Sequence, residues 1–334
     1  MSKVKLIIIL ILTFALLLTF FLSINYEGLW LAIKGARILW LLLGLAVGLG
    51  AFYIRVKRWH YLMLPMKSIK DMPLFKAIII GFCVSITLPG RIGELVRPYL
   101  IGSWENISKS AALATVVLER IIDMLCVLTY FAMYIYFYSS KNSDSSWFAI
   151  VRKSGLLALL IGLSGLLLLI IWGFCPGLIR KLIKVLFFWS AESFRNKILL
   201  LAEKFSDGLL VLKYPRLMIN IFVLSYIFWF VIAGNTAFII WAFDPLVKFE
   251  DAIFVMVLLV IGIALPTPGG VGGFHWAVRL ALVWVGVKDS VATAIALTDH
   301  IISVGPVLLI GLFFVWREGL QWSKIKDIQT NLSL

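Results

Sequence analysis

The chain has 334 residues, 62% of them hydrophobic and 14% charged, with a mean hydropathy of +1.03. Apolar runs of about 20 residues recur along it, which excludes a soluble globular domain and predicts an all-α polytopic membrane protein. The formal net charge of +14 lies in clusters beside the apolar runs, the pattern of the positive-inside rule, and this argues against nucleic acid as a partner.

The first apolar run, 6–24, follows Lys3 and Lys5. It is too long for a signal-peptide core and lacks a small-residue cleavage site, so it reads as an uncleaved span. A second span covers 38–54, where Gly44 and Gly48 have the spacing of close helix packing. Two short apolar pieces, 74–88 and 92–101, then flank the motif Thr87-Leu88-Pro89-Gly90-Arg91-Ile92-Gly93-Glu94-Leu95-Val96-Arg97-Pro98. A 15-residue helix is about 22 Å long, short of the roughly 30 Å hydrocarbon core, so the pieces read as a re-entrant hairpin over 74–101. A span at 111–138 closes a first membrane repeat, 1–138. An outer loop, 139–155, precedes a span at 156–174.

The linker 176–216 alternates basic clusters with Phe187, Phe188, Trp189 and Phe194. It reads as helices lying in the inner membrane interface or as a plain cytoplasmic connector. After a span at 217–241, the pieces 252–265 and 271–287 flank a second motif, Leu265-Pro266-Thr267-Pro268-Gly269-Gly270-Val271-Gly272-Gly273-Phe274-His275. They read as a second hairpin over 252–287. A last span, 291–316, closes a second membrane repeat, 156–316, ahead of a cytoplasmic tail, 317–334. Cys83, Cys126 and Cys175 lie far apart in apolar sequence without metal-ligand spacing and read as buried thiols.

The two motifs are copies of one pattern. With a two-residue gap, Leu88-Pro89 aligns with Leu265-Pro266, Gly90 with Gly269, Ile92 with Val271 and Gly93 with Gly272. Further on, Ser110, Ala112, Ala114, Ile121 and Ile122 match Ser290, Ala292, Ala294, Ile301 and Ile302, while Glu119-Arg120 matches Asp299-His300. The fold class expected is six full spans plus two re-entrant helical hairpins in an inverted repeat. Loop charge gives the orientation. With the N-terminus inside, Arg55, Lys57, Arg58, Lys67, Lys70 and Lys76 fall on the cytoplasmic side, as do Arg180, Lys181, Lys184, Arg195, Lys197, Lys204, Lys213 and Arg216. The C-terminus is then also cytoplasmic, in the cell membrane.

Ionisable groups within a bilayer are costly, so they pair or line a polar path. Arg91, Glu94 and Arg97 lie three apart on one helical face, a Glu flanked by two Arg. They read either as a lipid-phosphate site, served by guanidinium forks and by the helix N-terminus after Pro89-Gly90, or as an ion-pair lock on the hairpin. His275 and Arg279 occupy the comparable place in the second hairpin, and His275 is suited either to proton transfer or to packing. Glu119, Arg120 and Asp123, mirrored by Asp299, His300 and Ser303, suggest a polar core or interhelical salt bridges. Pro89, Gly90, Gly93, Pro266, Pro268, Gly269, Gly270 and Gly272 form the hairpin backbones, where irregular structure is tolerated only against protein or water. No nucleotide motif, nucleophile elbow or His/Asp metal spacing is present, so neither a cofactor nor enzymatic activity is expected.

Residues 88–98 and 265–272 together resemble the two signature motifs of the lysylphosphatidylglycerol synthase transmembrane family, and the resemblance extends over roughly 5–320. It implies an eight-segment flippase-like domain that handles lipids with charged headgroups. Members of that family typically carry Glu where this chain has His275, so the role of that second carboxylate does not transfer. The 334 residues leave no room for the soluble synthase domain of bifunctional members, so synthase activity is not expected. The expected partners are membrane phospholipids or polyprenyl-phosphate lipids. The function expected is a transporter or flippase that moves a charged-headgroup lipid, anionic or aminoacylated, between leaflets with the facing hairpins as gates; the alternative is a non-transporting lipid-binding partner of a lipid- or glycan-synthesising enzyme.

Overall fold

The computed structural model describes residues 3–138, 146–265 and 267–320, and thirteen α-helices account for most of them. Pro266, residues 139–145 of the expected outer loop and 321–334 of the expected tail lie outside the described residues. The first expected span, 6–24, is almost entirely one helix and ends in a bend. Helix α1 (Lys3–Leu22) turns by 82° into α2 (Tyr26–Lys34), whose first turn is capped by the Asn25 side chain accepting from Gly28 N–H at 3.0 Å. Among the described residues four helices are long and apolar enough to cross a membrane: α3 (Ile38–Met63), residues 153–174 of α7 (Ser146–Phe174), α10 (Pro215–Phe243) and α13 (Asp289–Arg317). The bent pair makes a fifth. Helix α6 (Lys109–Tyr138) is as long, at 30 residues, but carries Glu119, Arg120 and Asp123 in its first half. Because α7 begins at Ser146, the outer loop is shorter than the expected 139–155.

At the centre, α3 packs along α10. Gly44 and Gly48 let them approach: a Cβ on Gly48 would lie 2.9 Å from the Asn235 amide nitrogen, and one on Gly44 3.0 Å from Ile239. Asn235 Nδ2 donates to Gly44 O at 2.6 Å, joining the helices in apolar surroundings.

Around this pair stand two helical hairpins. Helix α4 (Asp71–Thr87) folds back on α5 (Gly93–Trp104), and α11 (Phe249–Ala264) on α12 (Gly273–Trp284). Their cross-points use the same device. Gly93 meets the Gly81 carbonyl so closely that no Cβ fits, and Gly273 lies against Gly262, a Cβ there falling 2.5 Å from the Gly262 oxygen. The tips need left-handed backbone. Gly90 has φ +81 and Gly269, Gly270 and Gly272 have +60, +71 and +86, while Arg91 adopts +54 without being glycine. The tips meet: a Cβ on Gly269 would lie 3.5 Å from Ile86 O, and Arg91 donates to Ile263 O at 2.7 Å. At roughly 1.5 Å per residue none of the four hairpin helices reaches the roughly 30 Å of a hydrocarbon core.

Helices α12 and α13 begin 180 residues after α5 and α6. The close-packing role of Gly93 is therefore taken by Gly273, one residue later than the motif alignment suggests. Packing repeats likewise: α3 touches α4, α6 and α13, and α10 touches α11, α13 and α6.

The linker folds into α8 (Pro176–Leu186) and α9 (Glu192–Gly208). Arg180, Lys181 and Lys184 of α8 share the helix with exposed Leu178, Leu182, Val185 and Leu186. Helix α9 packs on α6, with Gly208 against the Ala111 backbone. Cys83 and Cys126 are buried, but Cys175, expected buried, is exposed between α7 and α8.

Candidate functional site

The α3 sequence places Arg55 and Arg58 one turn apart, with Lys57 off that face. Both arginines, expected among the cytoplasmic flanking charges, point inward. The Arg58 side chain has no exposed surface, and Arg55 is nearly as buried. The reason is the pair of carboxylates opposite them on α6. Glu119 accepts from Arg58 Nη2 at 2.5 Å, from Arg97 Nη2 of α5 at 2.8 Å and from Arg120 Nη2 at 2.7 Å. Arg55 stands 3.8 Å away, too far for a hydrogen bond. Asp123 accepts from Arg58 and from the Trp229 indole at 2.9 Å and forms an ion pair with Arg120 at 3.0 Å, and Ser225 adds a contact to Arg58 at 3.2 Å. Lys57, by contrast, pairs near the surface with Asp71 at 2.6 Å.

Four guanidiniums thus face two carboxylates, leaving an excess of two positive charges in a largely desolvated place. Aromatic faces supply part of the compensation. Arg97 lies over Trp59 at 4.5 Å, and Arg55 lies between Phe82 at 4.8 Å and Phe228 at 4.5 Å. Among the described residues Arg55 Nη1 and the Nε atoms of Arg58, Arg97 and Arg120 have no hydrogen-bond acceptor. Buried donors of this kind are costly unless something accepts from them.

The expected trio does not act as a unit. Arg97 turns to Glu119, while Arg91 and Glu94 face each other loosely at 3.8 Å, about 40% exposed. Together with the one-third-exposed Arg120 they are the accessible members of the group. A mainly apolar crevice of about 320 Å³ opens between α3 and α4, lined by Leu49, Phe52, Tyr53, Val56, Met72 and Phe75, with Asp71 also on its wall. Phe52 packs edge-on against Phe82, which in turn lies under Arg55.

The second half holds a smaller polar cluster. Arg279 grips Asp289 through Nε and Nη2, both at 2.7 Å, and Ser23 Oγ through Nη1 at 2.6 Å, which ties α12, the start of α13 and the end of α1 together. His275 stacks on His300, and Asp299 accepts from Ser303 at 2.9 Å. The mirrored positions are therefore brought into two separate clusters, Glu119 and Arg120 in one, Asp299 and His300 in the other. Pro268, Gly269 and Gly270 form a single 3-10 turn at the second tip, and Pro89 lies in the first tip.

Arg55, Arg58, Ser225, Trp229 and Asp289 were not among the residues expected from sequence. The available signal was the i, i+3 spacing of Arg55 and Arg58 on the face shared with Ala51 and Leu62, all of them buried.

The comparisons with known proteins point to a membrane protein. The chain is similar to UPF0104 membrane proteins of archaea. It is 24% identical to one from Methanocaldococcus jannaschii, over 78% of this chain and 80% of the relative. It is 24% identical to one from Pyrococcus horikoshii, over 75% and 78%. A third, from Methanothermobacter thermautotrophicus, is 23% identical over 72% and 73%. No solved structure matches. The family described as the lysylphosphatidylglycerol synthase TM region matches residues 4–311, and the chain belongs to it.

Proposed function

We propose that this protein is a lipid transporter, not an enzyme, that moves a phospholipid or polyprenyl-phosphate lipid with a charged headgroup between leaflets. The observation that carries this reading is the buried surplus of guanidinium: four Arg against two carboxylates, with donors on Arg55 and Arg120 left without acceptors. A phosphate oxygen is the acceptor such forks are shaped for. The apolar crevice beside Phe52 lies where an acyl chain would run from a headgroup bound near Arg55. The matching cross-points of the hairpins and the 180-residue displacement of their following helices support an inverted repeat. In that repeat the first hairpin enters from the cytoplasm, the second from outside, and their tips act as facing gates. Both termini are then cytoplasmic, in the cell membrane.

The deciding experiment is lipid scrambling in liposomes, measured with headgroup-labelled phospholipids and normalised to folded protein. Arg55→Lys and Arg120→Lys keep the charge and lose the fork. The expected result is a fall in rate of about tenfold or more, corresponding to one lost charge-assisted hydrogen bond, with melting temperature kept. Wild-type rates in both stable variants, or no scrambling by the wild type with any anionic lipid, would overturn the reading. Lipid binding without movement would favour the partner-of-an-enzyme alternative.

A further inference from the structure

The polar cluster of the second half is not used by the lipid-phosphate site, and its geometry is specific. His275 of α12 and His300 of α13 stack with ring centroids 4.6 Å apart and planes 11° from parallel. Both are buried, with Phe20 5.2 Å from His275 and Phe274 4.9 Å from His300. His275 is the third residue of α12 and reaches back, its Nδ1 accepting from the Gly272 N–H at 3.3 Å. That acceptor role places the ring proton of neutral His275 on Nε2. His300 Nδ1 is buried and has no partner among the described residues.

We propose that His275 and His300 form a site for one proton, and that its arrival on His275 Nδ1 uncaps the second hairpin. Two imidazolium rings stacked at this distance repel each other, so the site takes a single charge. A proton on Nδ1 occupies the lone pair that accepts from Gly272, and that bond is lost. Gly272 is closely fitted: it has φ +86, and a Cβ on it would lie 2.6 Å from Leu16 Cβ. Three residues earlier, Gly269 rests on Ile86 of the first hairpin. Releasing the cap therefore loosens the backbone through which the two tips touch.

Apart from Asp299, the other charged groups around the pair are already paired or remote. Arg279 of α12 is paired with Asp289. Asp299 of α13, next in chain to His300, accepts from Ser303 on Oδ1 and has a free, buried Oδ2. Helix α1 presents the uncharged Phe20, and α2, which meets α13 at Ser290, carries Glu27 and Lys34. On α3, Arg55 and Arg58 face Glu119, and Lys57 faces Asp71. Helix α4 has Asp71 and Lys76, α10 has Arg216 and α11 has Glu250 and Asp251, all in turns away from the tips. At the tips, Arg91 donates to Ile263 O and lies beside Glu94.

The chain has three histidines, which makes the test direct. Histidine labelled with nitrogen-15 in nanodisc-embedded protein reports the protonation and tautomer of each ring, and His60, whose Nδ1 lies 2.7 Å from Ile69 O, serves as the reference. The expected result at the basic end is His275 with Nδ1 unprotonated. On acidification the protonated fractions of His275 and His300 should sum to one, and in His300→Gln the His275 ring should titrate to full amplitude. Fractions that sum to two, fractions that stay at zero until the fold is lost, or a proton on His275 Nδ1 at the basic end would each overturn the proposal. Should His300→Gln fail to fold, the wild-type sum decides alone. No lipid movement enters the readout, so this test and the test of lipid transport fail independently.

Discussion

Arg58 shows how charge is tolerated at this depth. Its guanidinium reaches Glu119, Asp123 and Ser225 and lies 5.1 Å over the Phe228 ring. Replacing it with Ala leaves two carboxylates buried with reduced compensation, so Arg58→Ala is expected to destabilise the protein by about 3–5 kcal/mol. Thermal unfolding in detergent checks this, and a loss under about 1 kcal/mol would show that the pair is solvated. Arg120 belongs to the same cluster but is one-third exposed. Its replacement by Lys should therefore show in scrambling rate more than in melting temperature.

At the scale of the elements, the hairpins exist because glycine removes a side chain where two backbones meet. A methyl group on Gly93 collides with the Gly81 carbonyl, and one on Gly273 meets the Gly262 oxygen at 2.5 Å and Leu265 at 2.8 Å. Gly93→Ala and Gly273→Ala are each expected to cost about 1–3 kcal/mol or more, because a packed backbone cannot yield. Gly50→Ala is the control, since nothing lies within 4 Å of its added Cβ, and it should unfold like the wild type or slightly later. Equal melting temperatures for all three variants would remove the tight crossings from the account. The break at each tip was legible in Pro and Gly. The one-residue shift that pairs Gly93 with Gly273 was not, because the tips differ in length and only the contacts establish which glycine sits at the crossing.

Across the whole molecule, the proposed orientation still rests on charge once Arg55 and Arg58 are assigned to the interior. Lys57, Lys67, Lys70 and Lys76 still flank α3 and α4, and the proposed topology puts them on one side with the basic residues of α8 and α9. Single cysteines placed at Lys67 and Lys197, in a background lacking the exposed Cys175, are expected to be shielded from an impermeant thiol reagent in intact cells. A cysteine at Lys248 should react. Labelling of Lys197→Cys from outside would refute the hairpin topology.

What the sequence determined by itself was the solvent, and it carried the signal of a repeated motif. Hydrophobic runs are a local property, and a repeated segment leaves matching glycines, prolines and charges about 180 residues apart whatever the packing. It also marked Glu119, Asp123 and Arg97 as interior, since charge within apolar sequence has few other places to go. Only the tertiary structure decided which charges meet. Arg55 and Arg58 end an apolar run and carry the same local signal as Lys57, a flank beside a span. Their inward direction depends on where α6 brings Glu119 and Asp123 across from the last turns of α3, a contact between residues about 60 positions apart. Likewise no spacing within α12 or α13 announces that His275 and His300 stack, because that geometry is set by how the two helices pack.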